Sequence, residues 1–528
     1  MKFDSRVKKL MKEGKPVLTA MTRLQNPVYA EVMALSGLDC VIVDNEHYPF
    51  TEEDCVNIVR AVHRAGADCA IRLSEKRFDA IYRALDMGFD GIYMPNVETA
   101  EEAQIIVDAC KYPPEGKRGC CPITRGADYG VNNPQSEYYA NINDSITVTI
   151  MIESQKGHEN IDGILRVRGI DIIALGPSDF SGSFGRPGHA DDQDIKTTME
   201  EIYEKARKAG VSCETTVHTV EDAEEGLRKG DNILYLDSDL QIISSALRSH
   251  TADAKKAIRQ RRLDAKGMKI KDRIRSGKPI VLPYIRLPEP AVAEMAVLHG
   301  ADLIVLDNEH FAYSDKDIVN MIRAVHCRGG KILVRLPDKS RSYIGRVLDM
   351  GADGIVAPII DSYEEAIEVV KSCLYGPMGQ RGLCPITAGG DYGFGHTAEE
   401  YAEKENREVI IAVMIESRTG VRDLDKILTI PEIDYISIGP ADISASFGYP
   451  GEVNSPVVQK IIAGIRAKIK AAGKAACGQC YNAEAVDRAL DENLTILNTG
   501  SELQYLMWDL QENLRMVKGL ANKEFQKP

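Results

Sequence analysis

Short apolar runs alternate with longer amphipathic segments along the first half of this chain. The runs lie near 17–22, 40–44, 69–73, 91–94, 146–152, 171–175, 211–216 and 233–236. Their length and their content of β-branched residues are typical of buried strands. The segments between them, such as 51–64 and 197–209, have the length and periodicity of helices. This alternation predicts an α/β protein built on a parallel sheet.

The second half of the chain repeats the first half at a constant offset. Position n resembles position n+263, so that Gly14-Lys15-Pro16 matches Gly277-Lys278-Pro279 and Gly210 matches Gly473. This register holds without insertion from about residue 14 to about residue 249. Eight strand–helix units in about 250 residues have the rhythm of a (β/α)8 barrel. We therefore predict an α/β fold with two tandem (β/α)8 TIM barrels in one chain.

A length of 528 residues exceeds what one hydrophobic core usually organises. We predict a first barrel at 1–254, a basic linker helix at 255–268 and a second barrel at 269–528. A doubly wound open sheet is the alternative architecture for each half. No G-x-G-x-x-G motif follows the first predicted strand to support that alternative.

Composition then narrows the classes of function. The net charge of −14 and the pI near 5.4 argue against nucleic acid as a partner. No apolar run approaches the ~20 residues that span a bilayer, so we expect no membrane association. The N-terminus leads into a charged helix and not into a signal peptide. The twelve cysteines lack the density of a disulfide scaffold, which indicates reduced thiols and a cytoplasmic location.

Ionisable residues stand where the predicted strands end. In a parallel barrel the carboxyl ends of all strands share one mouth, where catalytic residues are placed. Carboxylates do not gather unpaired at low dielectric, and a divalent cation is the usual reason for such a cluster. The first half supplies Arg23, Asp44, Glu46, His47, Arg72, Glu153 and Asp179, and the second half supplies Arg286, Asp307, Glu309, His310, Arg335, Glu416 and Asp442.

Two of these acids are candidate metal ligands. Glu153 and Asp179 follow two successive strands, and Glu416 and Asp442 are their equivalents. Two carboxylates with open positions for water describe a Mg²⁺ or Mn²⁺ site. The alternative is that both acids cap helices or pair with arginines.

The arginine and the histidine have separate candidate roles. Arg72 carries a planar guanidinium that suits a ligand carboxylate, and a salt bridge to Asp44 or Glu46 is the alternative. His47 lies close in sequence to Asp44, a carboxylate that could fix the tautomer of a general base. No lysine ends a strand in the first half, which argues against Schiff-base chemistry. A metal ion is then the available electrophile.

The ordered set of motifs resembles the HpcH/HpaI family of class II, metal-dependent pyruvate aldolases. The resemblance covers both halves nearly end to end, and the order of the motifs is more specific than any one of them. In the first half the motifs are Asp44-Asn45-Glu46-His47, Arg72, Leu85-Asp86-Met87-Gly88, Tyr112-Pro113-Pro114-Glu115-Gly116-Lys117-Arg118-Gly119, Ile152-Glu153 and Gly176-Pro177-Ser178-Asp179-Phe180-Ser181. The second half carries each of them, with Tyr375-Gly376-Pro377 at the start of the fourth.

The resemblance implies a fold, an assembly and roles for residues. Family members are (β/α)8 barrels that exchange their last helix and assemble as hexamers, so a homo-oligomer, specifically a trimer of two-barrel chains, is expected. The cofactor would be a divalent metal, Mg²⁺ or Mn²⁺, with Co²⁺ as a further candidate. The implied roles are metal ligation by Glu153, Asp179, Glu416 and Asp442, binding of the pyruvate carboxylate by Arg72 and Arg335, acid–base catalysis by His47 with Asp44 and by His310 with Asp307, and a place near the aldehyde end of a neighbour's site for Asp86 and Asp349.

The chain also departs from the family pattern. Met151 and Met414 stand two residues before the metal glutamates, where the family commonly has glutamine. Arg23 and Arg286 follow the first strand of each half, where a small or apolar residue is expected, and they are further substrate-binding candidates. The loops at 120–130 and 383–393 differ between the halves, and such loops shape substrate choice.

We therefore predict a carbon–carbon lyase of the class II aldolase type. It would cleave a 4-hydroxy-2-oxo acid to pyruvate and an aldehyde, or form that bond, through a metal-stabilised enolate. The alternatives are a citrate-lyase-type acyl-CoA lyase and a 2-oxo acid decarboxylase that uses the same site. A further alternative is that one half is a non-catalytic structural partner of the other.

Overall fold

Two closed barrels of parallel strands form the core of the protein. The computed structural model describes residues 5–131, 135–265 and 267–524. In the first barrel the strands follow one another in sequence order and the eighth pairs with the first. The second barrel has the same order. The prediction of two tandem (β/α)8 barrels is thus confirmed.

Six of the eight equivalent strands begin at the offset of the sequence repeat, and the second and third strands of the second barrel begin one residue later than that offset. The first barrel consists of β1 (Val17–Thr22), β2 (Cys40–Asn45), β3 (Asp68–Leu73), β4 (Gly91–Met94), β5 (Thr147–Ile152), β6 (Ile172–Leu175), β7 (Ser212–Thr216) and β8 (Ile233–Ser238). The second consists of β9 (Ile280–Ile285), β10 (Ile304–Asp307), β11 (Ile332–Arg335), β12 (Gly354–Ala357), β13 (Ile410–Ile415), β14 (Tyr435–Ile438), β15 (Ala475–Gln479) and β16 (Ile496–Ser501).

Helices connect the strands and cover the barrels. The first half contains α1 (Arg6–Lys12), α2 (Pro27–Ser36), α3 (Glu52–Ala65), α4 (Phe78–Met87), α5 (Ala100–Cys110), α6 (Gln135–Ile142), α7 (Gln155–Glu159), α8 (Ile161–Ile164), α9 (Pro177–Ser183), α10 (Gln193–Lys208), α11 (Val220–Lys229) and α12 (Asp239–Gln260). The second contains α13 (Ile270–Arg275), α14 (Pro290–Leu298), α15 (Asp315–Cys327), α16 (Arg341–Asp349), α17 (Tyr363–Cys373), α18 (Ala398–Glu408), α19 (Arg418–Ile427), α20 (Pro440–Ser446), α21 (Pro456–Ala471), α22 (Ala483–Asp491) and α23 (Glu502–Glu524). Segments of 3₁₀ helix lie at Arg125–Gly130 and Ala388–Gly393.

Local sequence explains where equivalent helices begin. Thr51 caps α3 and Ser314 caps α15, and each hydroxyl accepts the N–H of the aspartate three residues on. The carboxylates of Asp54 and Asp317 accept the N–H of the capping residue in return. This reciprocal capping box satisfies donors that a helix start otherwise leaves unpaired. The helices that follow β2 and β10 are thus fixed in the same way.

Two compact units divide the chain at positions that differ from the predicted boundaries. Among the described residues, one unit contains those up to 242 together with those from 506 to 524, and the other contains those from 243 to 505. The single helix α12 runs across position 242, so the predicted linker 255–268 begins as the end of that helix.

The part of α12 assigned to the second unit is held there by side-chain contacts. Ser244 shares a hydrogen bond with Nε2 of His299 at 2.8 Å. The Nζ of Lys255 lies 2.6 Å from Oδ1 of Asp302. The helix that follows the last strand of the first barrel therefore packs mainly within the second unit.

The length and polarity of the helices decide whether any of them could span a membrane. Within the described ranges, each helix is too short or too polar to cross a lipid bilayer.

Candidate active site

An arginine and an aspartate lie side by side at the mouth of each barrel. Asp44 in β2 and Arg72 in β3 are register partners, and so are Asp307 and Arg335. The Nε and Nη2 of Arg72 donate to the two carboxylate oxygens of Asp44 at 3.0 and 2.8 Å. The corresponding distances from Arg335 are 3.0 and 2.6 Å. Both aspartates are buried, and both pairs have the bidentate geometry of strong charge-assisted hydrogen bonds.

A glutamate adds a second carboxylate to each arginine. The Oε2 of Glu46 lies 3.2 Å from Nε of Arg72. In the second barrel Oε2 of Glu309 lies 3.0 Å from Nη1 of Arg335. The alternative of an arginine salt bridge to nearby acids is therefore realised, while the guanidinium still faces the mouth.

The histidines lie beside these glutamates. The Nε2 of His47 is 3.7 Å from Oε2 of Glu46, and only the backbone N–H of His47 approaches Asp44, at 3.4 Å. The second barrel repeats this with 3.8 Å between His310 and Glu309. The predicted contact between the imidazole and the aspartate is replaced, because the arginines already occupy both oxygens of the buried aspartate. The ring is more than half exposed and faces solvent.

Glu153 lies in a close-fitting cradle at the end of β5. The backbone N–H of Asn96 donates to its Oε2 at 2.9 Å. A Cβ on Gly176 would approach Oε1 to 2.0 Å, so a larger residue at that position would displace the carboxylate from its place in the cradle. Gly439 has the same relation to Glu416, with 2.2 Å to Oε1. The cradle fixes each carboxylate before any ligand arrives.

The backbone donors to these glutamates adopt an unusual conformation. Asn96 has φ of 54° and Ile359 has φ of 46°. The N–H of Ile359 donates to Oε2 of Glu416 at 3.1 Å. A β-branched residue in the left-handed region is uncommon and costs free energy, of the order of 1–3 kcal/mol. Sequence reasoning missed both donors, and the isoleucine in particular carries no signal for this conformation.

Burial and neighbouring charge change the acidity of the cradled glutamates. Burial raises the pKa of Glu153 to about 7, the Asn96 N–H lowers it, and the charges of Glu46 and Asp179 raise it. The pKa of Glu416 is raised to about 7 by the same causes, with Glu309 and Asp442 as the acidic neighbours. Burial is the largest of these causes, and Arg72 and Arg335 oppose it by lowering the two pKa values.

The donor set fits a hard divalent cation. Asp179 lies in the first turn of α9 and Asp442 in the first turn of α20, both exposed toward the same mouth as the cradled glutamates. Each pair supplies two carboxylates to a site that is open to water, as a Mg²⁺ or Mn²⁺ site requires. In the described ranges no three His, Cys, Asp or Glu side chains group closely enough to hold a metal ion alone. Water or ligand oxygens would therefore complete the coordination.

Two predicted substrate-site residues lie away from the mouth of their own barrel. Asp86, near the end of α4, accepts from Nη2 of the fully buried Arg118 at 2.7 Å. Asp349 accepts from Arg381 at 2.8 Å in the same way. The C-terminal end of a barrel helix lies at the opposite face from the strand ends. A role for these aspartates in a neighbouring subunit's site stays a prediction.

The first-strand arginines do lie at the mouth. The Nε of Arg23 donates to Oδ2 of Asp44 at 3.1 Å, so Asp44 serves two guanidinium groups. Arg286 is farther from its aspartate, with 3.9 Å between Nε and Oδ2 of Asp307. The departure from the family pattern after the first strand is therefore part of the site.

The barrel interiors beneath the two sites differ. In the first barrel the Tyr93 hydroxyl donates to the buried carboxyl of Glu214 at 2.9 Å, across the barrel from β4 to β7. The second barrel has Val356 and Cys477 at these positions. There Tyr284 fills the interior, and the Arg335 guanidinium lies 5.6 Å from its ring centroid.

The HpcH/HpaI aldolase/citrate lyase family matches this sequence twice, at residues 21–246 and 281–508. The chain belongs to this family. Because the two matches coincide with the two barrels, the HpcH/HpaI domain is present as a tandem duplication.

Relatives of known activity match a single HpcH/HpaI barrel. The 5-keto-4-deoxy-D-glucarate aldolase of Citrobacter koseri is 32% identical over 244 residues, which are 46% of this chain and 94% of the relative. The Escherichia coli enzyme of the same name is 31% identical over 244 residues, with the same shares. The crystal structure of an HpcH/HpaI aldolase from Desulfitobacterium hafniense is similar at 29% identity and a TM-score of 0.42, and covers 44% of this chain and 90% of its own. The sequence relatives support an aldolase or lyase activity.

Proposed function

We propose that each barrel is a divalent-metal-dependent pyruvate aldolase, which cleaves a 4-hydroxy-2-oxo acid to pyruvate and an aldehyde. The observation that carries the proposal is the crowding, in both barrels, of a cradled, buried glutamate with further carboxylates beside an arginine whose side chain is about nine-tenths buried. Carboxylates at such a density need a cation to be stable in the charged form.

The cradled glutamate and the exposed aspartate of each mouth are the proposed metal ligands. These are Glu153 with Asp179 and Glu416 with Asp442, and Mg²⁺ or Mn²⁺ suits their hard oxygen donors. A divalent cation held there would supply positive charge to the enolate oxygen of the pyruvate unit.

The chain's own residues would orient the pyruvate unit. Arg72 and Arg335 face the mouth from the ends of β3 and β11, and each is fixed by two hydrogen bonds to its aspartate. A guanidinium held in this way is preorganised to donate to the pyruvate carboxylate. The aspartates Asp44 and Asp307 are then positioning residues that act through the arginines.

The histidines would move the proton. In the cleavage direction His47 or His310 accepts the proton of the 4-hydroxyl group as the bond between C3 and C4 breaks. The Nε2 of each histidine lies beside the carboxylate of the adjacent glutamate, 3.7 Å from Glu46 or 3.8 Å from Glu309. A proton then returns to C3, which becomes the pyruvate methyl group.

Proton exchange of pyruvate tests this function without knowledge of the aldehyde. The protein is incubated with pyruvate in D₂O with Mg²⁺, with Mn²⁺, or with a chelator, and the methyl signal is followed by NMR. The expected result is loss of the methyl signal with metal and none with chelator. Absence of exchange with either metal would overturn the proposal, as would exchange at the same rate in the presence of the chelator.

A further inference from the structure

The guanidinium of Arg286 has few polar contacts with the described residues of the second barrel. Its Nε is buried, has no hydrogen-bond partner among the described residues and lies 3.9 Å from the nearest oxygen of Asp307. The guanidinium stacks over Phe311, 5.6 Å from the ring centroid. The side chain is 31% exposed at the mouth. A partly buried, unsatisfied charged donor at a catalytic mouth is costly unless a ligand completes its hydrogen bonds.

The matching arginine of the first barrel is occupied. Besides its bond to Asp44, Arg23 donates from Nη1 to Oε1 of Gln241 at 2.8 Å and to Oγ of Ser238 at 3.2 Å. The same serine–glutamine hydrogen bond is present in both barrels, from Ser238 to Gln241 at 2.8 Å and from Ser501 to Gln504 at 3.2 Å, but among the described residues only Arg23 also donates to such a pair. The guanidinium of Arg23 is therefore already hydrogen-bonded to side chains of its own barrel.

The charged side chains around this arginine also differ between the two barrels. The first barrel has Asp237 at the end of β8, and Oδ2 of Asp237 lies 4.0 Å from Nδ1 of His218. The second barrel has Gly500 and Tyr481 at these two positions. Asp237 thus adds a carboxylate near the arginine of the first barrel, and the second barrel has no charged side chain at that position.

We propose that Arg286 docks a carboxylate on the acceptor aldehyde, so that the second barrel prefers acidic aldehydes while the first barrel prefers uncharged ones of the same length. This inference rests on the proposed aldolase function. In the synthetic direction C3 of pyruvate gives up a proton and bonds to the aldehyde carbon, and the aldehyde oxygen takes up a proton. Arg286 touches only the far end of the acceptor, so it acts as a specificity residue in this balanced step.

Two pairs of aldehydes measure the preference. Glyoxylate is compared with glycolaldehyde, and 2-hydroxy-3-oxopropanoate with glyceraldehyde, because each pair differs only by a carboxylate in place of a hydroxymethyl group. The full chain with Glu153→Gln reports the second barrel, and the full chain with Glu416→Gln reports the first. The readout is the ratio of kcat/KM within a pair, with pyruvate as donor.

The second barrel is expected to favour the acidic aldehyde at least about tenfold more than the first barrel does, in one pair or both. Arg286→Met should remove that preference, and Arg286→Lys should restore part of it. Asp237→Gly should shift the first barrel toward the acidic aldehyde. The control Arg328→Met, which changes an exposed arginine paired with Glu294 in the same unit, should leave the ratio unchanged.

The outcomes separate this inference from the function on which it rests. If pyruvate exchanges its methyl protons with metal but both barrels show the same ratios in both pairs, the inference is wrong and the aldolase proposal stands. An unchanged ratio in Arg286→Met also overturns the inference. If exchange itself is absent, the aldolase proposal fails.

Discussion

The two barrels keep the same ionisable groups at the strand ends and differ both beneath them and around them. Each has a bidentate arginine–aspartate pair and a glutamate in a glycine cradle. Beneath that layer, the first barrel has the Tyr93–Glu214 hydrogen bond and the second has Tyr284 against its arginine. The comparison teaches that the site geometry is set by the register of neighbouring strands and not by what fills the interior.

The largest effect should come from removing the cradled glutamates. The chain with both Glu153→Ala and Glu416→Ala is expected to lose metal-dependent turnover by at least about a thousandfold, because each proposed site keeps one carboxylate only. Each single variant should lose the share of turnover that its own barrel supplies. Initial rates with saturating metal measure this. Surviving activity in the double variant would refute the metal assignment.

The next largest effect concerns the ion pairs between the strand-end arginines and their buried aspartates. Arg72→Met and Arg335→Met each leave a buried aspartate without its bidentate partner, which typically costs about 3–5 kcal/mol. Because Arg23 still bonds to Asp44 at 3.1 Å while Arg286 is 3.9 Å from its aspartate, the second barrel should lose more stability. Urea unfolding, monitored in each barrel separately by the hydrogen exchange of its peptides, measures the difference in the free energy of unfolding.

Exposed arginines provide the control for that comparison. Arg83 and Arg346 occupy equivalent positions and form exposed ion pairs. Their replacement by methionine should change the free energy of unfolding by less than about 1 kcal/mol. If Arg72→Met and Arg335→Met lowered the free energy of unfolding equally, the hydrogen bond from Arg23 would not stabilise Asp44.

A pH-dependent effect that comes from Glu214 should appear in the first barrel, because the second barrel has Cys477 at that position. Burial raises the pKa of Glu214 to about 7, while the Tyr93 hydroxyl lowers it. The folded state then holds more protons than the unfolded state between about pH 4.5 and 7, so stability from this group falls as pH rises through that window. Across the whole window, ionisation of Glu214 would lower the free energy of unfolding by about 3 kcal/mol.

Glu214→Gln tests that contribution, since the glutamine oxygen can still accept from Tyr93. The variant should match the parent below about pH 4.5 and gain stability over it above pH 7. Unfolding midpoints in urea from pH 4 to pH 8 give the comparison, and peptides of the second barrel serve as the internal reference. Parallel pH profiles for parent and variant would contradict the prediction.

The smallest effect should be equal in the two barrels. Thr51→Ala and Ser314→Ala each remove the cap of an equivalent helix, which costs about 1 kcal/mol. The same urea measurement applies. A clear inequality would mean that the helices after β2 and β10 depend on contacts other than their caps.

The sequence predicted the strands well because their apolar, β-branched runs depend on local composition. Strands predicted near 17–22 and 91–94 have those bounds in the structure. The strand-end residues followed, since parallel strands bring their ends together. The contact of His47 with Glu46 in place of Asp44 could not be predicted, because it depends on which side chains already donate to the oxygens of Asp44. Likewise, nothing in the sequence marks the left-handed backbone of Ile359.

The unbroken offset between the halves has a consequence for inheritance and expression. Both mouths are encoded by one gene and are made in equal number with every chain. The ratio of their activities in a cell is therefore a kinetic property of the polypeptide and not the outcome of separate control of synthesis. A substitution at one rim changes that ratio while the other copy preserves the original chemistry.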